Sequence, residues 1–348
     1  MCSDVTRRDL MRALGALGVM SAFPLSGLAA GKGEAPFSVE SLPPLEGELT
    51  LYLGRGEGGL YENVINAIRD RNPDLSLQVR RGPTVALANT IVAEAEAGAR
   101  QADLFWAVDS GSLGLVSDAG LATALPDSLG EGLREGFRYD YWAPVSGRVR
   151  TLPFNTDRLS LGDIPEDIMA LPDSGLSVGW APAYGSFQSF VTAMRLLQGE
   201  KATREWLRAM KGRARQYAGE FGAVMGVSRG EVDVGLANHY YTLRLKAGQP
   251  DAPVSLAMTR DDAGSLLNAS GAMALTDRPV AVNFIRYLLT REVQEYLVQE
   301  AYEIPMVNGV ALPEGLPDQE RIQPPSLDLT RLADLRPTLE LMRDTGVL

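Results

Sequence analysis

The chain has 348 residues, which exceeds one ordinary domain and suits two lobes of about 150 residues each. Its hydrophobic content of 45% is enough for buried cores. The formal net charge of -11 is spread along the chain and argues against nucleic acid as a partner, because a duplex binder needs a basic face. The same charge argues against docking on anionic lipid.

The N-terminus has the pattern of an export signal. Adjacent arginines, Arg7 and Arg8, precede an apolar stretch from Ala13 to about Leu28, and small residues follow. This order is typical of a signal peptide, here over residues 1–30, and the arginine pair resembles a twin-arginine signal. The alternative is a single membrane anchor, for which the stretch is short and rich in glycine. We therefore expect an exported protein, periplasmic or associated with the cell surface.

The mature chain is predicted to lack cysteine, because Cys2 lies inside the signal. It then has no disulfide and no thiolate metal site. Residues 31–46 contain Gly, Pro and Glu and are predicted to form a tether, with the folded domain beginning at Gly47. No other segment approaches a transmembrane length.

Strands and helices alternate along the first half of the chain. Strands are predicted at 48–53, 75–79 and 102–106, and helices at 60–71, 86–97 and about 111–119. This βαβαβ rhythm predicts a parallel sheet with right-handed crossovers.

A second alternating series begins near Arg150. Strands are predicted at 177–180 and 232–236, and helices at 186–197, 203–210, 279–289, 291–299 and about 337–344. We expect an α/β, two-lobed periplasmic-binding-protein fold of type II, with the ligand cleft between the lobes. The first lobe is assigned to 47–142 plus about 264–315, and the second to about 143–263 plus 316–348.

Several motifs resemble those of one protein family. The segment Glu231–Tyr241 reads EVDVGLANHYY, and in the same order along the chain stand LYLGRG at 51–56, ADLFW at 102–106, SGRVR at 146–150, FNTD at 154–157, SG at 270–271 and AYEIP at 301–305. The ordered set covers about 48–348. It resembles the ferric-iron-binding periplasmic proteins, the bacterial transferrins.

The resemblance implies that Tyr240 and Tyr241 bind ferric iron, with Tyr184 as a third phenolate. Ferric ion is hard and highly charged, so it prefers anionic oxygen donors, and a bound cation lowers a tyrosine pKa. Two consecutive tyrosines in a strand would point to opposite faces, whereas in a loop after the strand both can converge on one ion. The alternative is an ordinary aromatic pair that caps the sheet edge.

Other family ligands are replaced in this sequence. The histidine that many members carry after the first strand corresponds to Gly56, and the neighbouring Glu57 is the first-lobe candidate. The glutamate that some members carry corresponds to Val108. His239, the only histidine, is expected to be a hydrogen-bonded loop residue and not a ligand.

Exogenous oxygen is expected to complete the coordination, since family members use carbonate, phosphate, or hydroxide and water. Gly185 and Ser186 open a helix whose N–H groups suit an anion, and Asn238 joins them. Arg148 either adds a guanidinium fork for that anion or forms a hinge salt bridge. Glu220 stands where phosphate-using members have asparagine, so it either binds iron itself or favours a smaller anion or none.

The implied function is that of a monomeric solute-binding protein of an ABC importer, which delivers ferric iron to a membrane permease with its ATPase. One alternative is the same fold with another cargo, an organic anion or a different metal. A distant alternative is a transferase-like enzyme, but the sequence contains no visible nucleophile–base pair and no phosphate-cradling Gly-Lys loop.

Overall fold

A computed structural model describes residues 37–54, 59–317 and 322–348, so the predicted signal at 1–30 lies outside the described residues. The chain divides into two compact units. The first combines the described residues up to Gly147 with Ala269–Pro313, and the second combines Arg148–Asn268 with Glu314–Leu348. The first two boundaries lie five residues beyond those predicted, because both fall inside long strands rather than between elements.

The first unit begins with alternating strands and helices, as the sequence predicts. The elements are β1 (Gly47–Gly54), α1 (Leu60–Arg71), β2 (Leu75–Gly82), α2 (Thr84–Glu96), β3 (Leu104–Ala107), α3 (Ser110–Asp118), α4 (Asp127–Gly130) and β4 (Ala143–Asn155), which crosses into the second unit. Strand β1 is central and pairs in parallel with β2 and with β3. Strand β3 is buried along its whole length and β1 along most of it, which is why both are largely apolar. Strand β2 instead alternates between buried leucines and exposed polar residues.

The second unit continues the alternation. Its elements are β5 (Val178–Trp180), α5 (Gly185–Gln198), α6 (Glu200–Lys211), β6 (Ala214–Gln216), α7 (Glu220–Ser228), β7 (Val234–Gly235), β8 (Ala237–Asn238), α8 (His239–Gly248) and β9 (Val254–Ala257). Strand β5 pairs in parallel with β6 and β7. The second half of β4 pairs antiparallel with β7, β8 and β9.

The remaining elements complete the first unit and then the second. They are β10 (Leu267–Ala274), α9 (Pro279–Leu288), α10 (Arg291–Ala301), β11 (Ile304–Pro305) and α11 (Leu335–Asp344). In the first unit β10 pairs antiparallel with β3, and β11 with the start of β4. In the second unit α11 packs on α5, where the Thr192 hydroxyl donates to Thr338 Oγ1 at 2.9 Å. No helix among the described residues is long and apolar enough to cross a membrane.

Residues 37–46 pack on the first unit, so the predicted tether is wrong for this part of 31–46. Val39 and Leu45 are buried in the core of the unit. The Val39 N–H donates to Glu292 Oε2 at 3.2 Å, and the Leu45 N–H donates to Asn72 Oδ1 at 2.8 Å. The composition of the segment suggests a linker, but burial of two apolar side chains in the core of the first unit is enough to fix its position.

One buried amide ties four parts of the first unit together. Gln294 on α10 is fully buried, and its Nε2 donates to the carbonyls of Val145 at 2.6 Å and Leu288 at 3.0 Å. Its Oε1 accepts from the Met306 N–H at 2.9 Å. The side chain therefore satisfies backbone groups of β4, of the end of α9 and of the segment after β11.

Replacing Gln294 with leucine should destabilise the protein by about 2–4 kcal/mol, because three buried backbone groups lose their partner at once. Gln299→Leu is the matched control on the same helix, since Gln299 is exposed, and it should change stability by less than about 0.5 kcal/mol. Urea unfolding followed by circular dichroism measures both. Equal midpoints for the two variants would contradict the bridging role.

Candidate functional site

The predicted site residues of the second unit come together at one edge of its sheet. Tyr184 and Ser186 follow β5, Glu220 follows β6, and the segment from Asn238 to Tyr241 follows β7. Because β5, β6 and β7 are parallel, their carboxyl ends lie at the same edge. The order of strands therefore places these side chains side by side.

The adjacent tyrosines lie in the first turn of a helix, so the prediction that they occupy a loop is wrong. Helix α8 begins at His239, and Asn238 is its N-cap. Consecutive helical residues are about 100° apart, in contrast to the roughly 180° of a strand, so neighbouring side chains can face the same region. The ring centroids of Tyr240 and Tyr241 are 4.5 Å apart.

The third tyrosine joins this pair through its hydroxyl. The hydroxyl oxygens of Tyr184 and Tyr241 are 2.7 Å apart, within hydrogen-bonding distance, and Tyr184 is the N-cap residue of α5. The Asn238 Nδ2 donates to the Tyr240 hydroxyl oxygen at 3.2 Å. Three phenol groups from the ends of two helices thus form one cluster, which we call the phenol cluster.

Burial keeps Tyr240 and Tyr241 protonated in the absence of a cation. Loss of hydration is the largest cause in both cases; it raises the pKa of Tyr240 to about 12 and also raises that of Tyr241. For Tyr240 the charge of Arg148 acts in the opposite direction and lowers the pKa, while the charge of Glu220 raises it. A positive charge that enters the cluster therefore favours deprotonation of Tyr240 and Tyr241.

Glu220 has both carboxylate oxygens occupied by protein donors. Its side chain is buried, with 1% of the residue exposed. Oε1 accepts from both terminal nitrogens of Arg150, at 3.0 and 2.6 Å, and from the Ser186 hydroxyl. Oε2 accepts from the Asn238 N–H at 2.9 Å.

These contacts change two of the predicted roles. Glu220 is not available as an iron ligand in this arrangement, because its oxygens are already bound to a guanidinium, a hydroxyl and an amide. Ser186 and Asn238, predicted to bind a free anion, donate to this carboxylate instead, Ser186 through its hydroxyl and Asn238 through its N–H. Gly185 remains exposed at the first residue of α5.

Arg150 is the important residue that the sequence reading missed. It is 2% exposed, lies on β4 opposite Asn238, and forms the buried ion pair with Glu220. Its guanidinium also lies over the ring of Phe190, 5.1 Å from the centroid. The available signal was an arginine inside an apolar strand, which a buried carboxylate must balance.

Arg148 and Arg150 stand two positions apart on β4, so they share one face of the strand. The guanidinium of Arg148 is close enough to Tyr240 to lower its pKa. Arg148 therefore acts on the phenol cluster, whereas Arg150 pairs with Glu220.

His239 occupies a helix and not the loop expected for it. It is the first residue of α8 and is fully buried, and its Nδ1 accepts from the Val149 N–H at 3.2 Å. This hydrogen bond connects the start of α8 to β4.

Two further side chains border the phenol cluster. The guanidinium of Arg244, one turn along α8, lies 4.7 Å from the ring centroid of Tyr240. Phe221 is 44% exposed, and its ring centroid lies 6.2 Å from that of Tyr241. The cluster is therefore flanked by a cation and by an exposed aromatic ring.

The candidate positions of the first unit either lie outside the described residues or make local contacts. Gly56 and Glu57 lie outside the described residues. Asp109, next to the Val108 position, caps α3 by accepting from the Ser112 N–H at 2.8 Å. Within the described ranges, no group of three or more His, Cys, Asp or Glu side chains could hold a metal ion.

Comparison with known proteins gives a consistent result. Residues 55–295 match the family model described as bacterial extracellular solute-binding protein. The chain is 27% identical over 321 residues to the major ferric iron-binding protein of Neisseria meningitidis, covering 87% of this chain and 94% of that protein. It is also 27% identical to the Fe(3+)-binding periplasmic protein of Serratia marcescens, over 83% of this chain and 88% of the other.

A solved structure agrees with both relatives. Iron-bound HitA from Pseudomonas aeruginosa superimposes with a TM-score of 0.75 and 27% identity, over 86% of this chain and 99% of that one. The predicted fold class, the two-lobed periplasmic-binding-protein fold, is confirmed by this likeness. The resemblance to ferric-iron-binding periplasmic proteins, drawn from the motifs, is confirmed as well.

Arg150→Met should destabilise the protein by about 3–5 kcal/mol, because it leaves the Glu220 carboxylate buried without its counter-ion. Arg260→Met is the matched control, since Arg260 pairs with Glu166 at 2.8 Å with both side chains more than half exposed, and it should cost less than about 1 kcal/mol. Chemical unfolding at neutral pH measures both variants. Similar losses of stability would contradict the structural role of the buried pair.

Proposed function

The chain belongs to the bacterial extracellular solute-binding protein family, and on that basis we propose that it binds ferric iron through tyrosine phenolates for import across a membrane. The residues proposed to hold the ion are Tyr184, Tyr240 and Tyr241. The role is transport and not catalysis.

The contact that carries this proposal is the 2.7 Å separation between the hydroxyl oxygens of Tyr184 and Tyr241. Two phenol oxygens at this separation can bind the same ion once their protons are displaced. Ferric ion is hard and highly charged and favours anionic oxygen, and phenolate is the anionic oxygen that this cluster can supply. The ferric-binding names of two relatives support the same cargo.

The phenol cluster supplies three oxygen donors, which leaves part of an octahedral coordination sphere to other groups. We propose that water or hydroxide completes it, and that Glu57 remains the candidate from the first unit. Arg148 is placed to stabilise the anionic form of Tyr240, since its charge lowers that pKa. Glu220 is left out of the ligand set because its oxygens hold Arg150, Ser186 and Asn238.

The proposed context is that of the family. We propose that the protein is exported by the twin-arginine signal over 1–30, acts as a monomer outside the cytoplasm, and passes its cargo to an ABC permease driven by an ATPase. Membership of the solute-binding family supports the permease as the partner.

Ferric loading should give a visible charge-transfer band, because phenolate donates electron density to Fe(III). Tyr240→Phe and Tyr241→Phe should each weaken or abolish the band and lower iron affinity by more than about 100-fold. Loss of a residue that only supports a metal ligand costs up to about 100-fold, so loss of a ligand itself should cost more. Tyr217→Phe is the control in the same unit, where the hydroxyl donates to Glu231 Oε2 at 3.0 Å. Absorption spectroscopy and competition with citrate measure the two effects.

A wild-type protein that stays colourless and takes up no iron would refute the ferric assignment and favour another cargo on the same fold. Retained colour in both the Tyr240 and Tyr241 variants would refute the proposed ligands.

Iron affinity should fall as pH falls. Burial raises the pKa of Tyr240 to about 12, so this phenol is neutral in the metal-free protein at pH 7 and iron must displace its proton. Each displaced proton should weaken binding about tenfold for every unit by which pH decreases. Competition with a chelator between about pH 6 and about pH 8, corrected for protonation of the chelator, measures the slope. A slope of zero would contradict binding through protonated phenols.

A further inference from the structure

The donors around Glu220 form an oxyanion-binding site that the protein fills with its own side chain. Arg150 donates from two nitrogens to Oε1, and the Ser186 hydroxyl donates to the same oxygen. The Asn238 N–H donates to Oε2 at 2.9 Å. A guanidinium, a hydroxyl and a backbone amide are the groups that commonly bind free carboxylate or phosphate in proteins.

The start of each of three helices lies at this carboxylate. Ser186 is the second residue of α5, Glu220 the first of α7, and Asn238 the N-cap of α8. Each helix start carries partial positive charge, and Arg150, which is 2% exposed, adds a full one. Without Glu220 the pocket would hold buried positive charge with no counter-ion, which is the condition that attracts an oxyanion.

We propose that Glu220 takes the place of an exogenous oxyanion, so that this protein binds its cargo without phosphate or carbonate held by Arg150, Ser186 and Asn238. The cargo part rests on the proposed function, whereas the filled site is a property of the metal-free protein. A second anion at these groups would meet donors already in use and the negative charge of Glu220.

The carboxylate acts on the phenol cluster from the neighbouring position. Its charge raises the pKa of Tyr240, and Asn238 joins the two sites because its N–H donates to Glu220 while its Nδ2 donates to the Tyr240 hydroxyl oxygen. An exogenous anion would have to enter and leave with the cargo, whereas Glu220 stays in place. Glu220 is therefore the residue that determines whether an anion accompanies the metal.

The direct test empties the site. Glu220→Ala removes the carboxylate and leaves a space that formate or phosphate can enter. In metal-free Glu220→Ala, formate or phosphate at about 100 mM should raise the melting temperature by about 5 °C or more relative to chloride of equal ionic strength. The wild type should respond by about 1 °C or less, which also measures the general salt effect.

Glu220→Gln is the matched control, because it removes the charge but still fills the space, and it should respond to formate as the wild type does. Equal responses of the wild type and the alanine variant would overturn the proposal. If Glu220→Ala does not fold in chloride, it is refolded with formate, and recovery of folded protein that formate alone supports counts in favour.

A second measurement uses only the wild type. Its ferric affinity in buffer free of phosphate and bicarbonate should equal that with either anion added, within about twofold. Iron loading that requires an added anion would overturn the proposal. A protein that binds no iron under any condition would refute the proposed cargo, and the response of the metal-free variants to formate would still decide whether Glu220 fills an oxyanion site.

Discussion

The buried ion pair between Arg150 and Glu220 is the interaction on which the phenol cluster depends. A charged group in a protein interior is stable only when it is paired and hydrogen-bonded, and Glu220 meets that condition with donors from β4, from α5 and from the N-cap of α8. Tyr184 immediately precedes α5, and Tyr240 lies in the first turn of α8. The carboxylate that neutralises Arg150 therefore also fixes how the helix ends bearing the phenols meet.

The same pair explains why several polar groups can be buried so close to one another. Tyr240 lies near a positive group, Arg148, and a negative one, Glu220, whose effects on its pKa are opposite in sign. Loss of hydration then dominates and keeps the phenol neutral. The metal-free site thus combines the protonated hydroxyls of Tyr240 and Tyr241 with a compensated ion pair, and the guanidinium of Arg148 lies near them.

Local features of this fold could be predicted from sequence, and long-range partners could not. Apolar periodicity predicts helix α1 at its observed bounds. The order of the motifs predicts that Tyr184 and Tyr241 share one site, and their hydroxyl oxygens are in contact. The helical start of α8 was missed because two short strands precede it without a separating turn. The pairing of Arg150 with Glu220 joins residues 70 positions apart and depends on strand order, which no local pattern encodes.

Charge balance gives the proposed site a reason to prefer a trivalent cargo. In the metal-free state burial keeps Tyr240 and Tyr241 protonated, and Glu220 compensates Arg150. When one ferric ion replaces three phenol protons, three positive charges enter as three leave, so the buried net charge does not change. A divalent ion at the same three phenolates would make the site one unit more negative than it is in the metal-free protein, and burial makes that added charge unfavourable. Because Glu220 is paired with Arg150, the ion pair adds no net charge to the site, and the match to a trivalent ion is preserved.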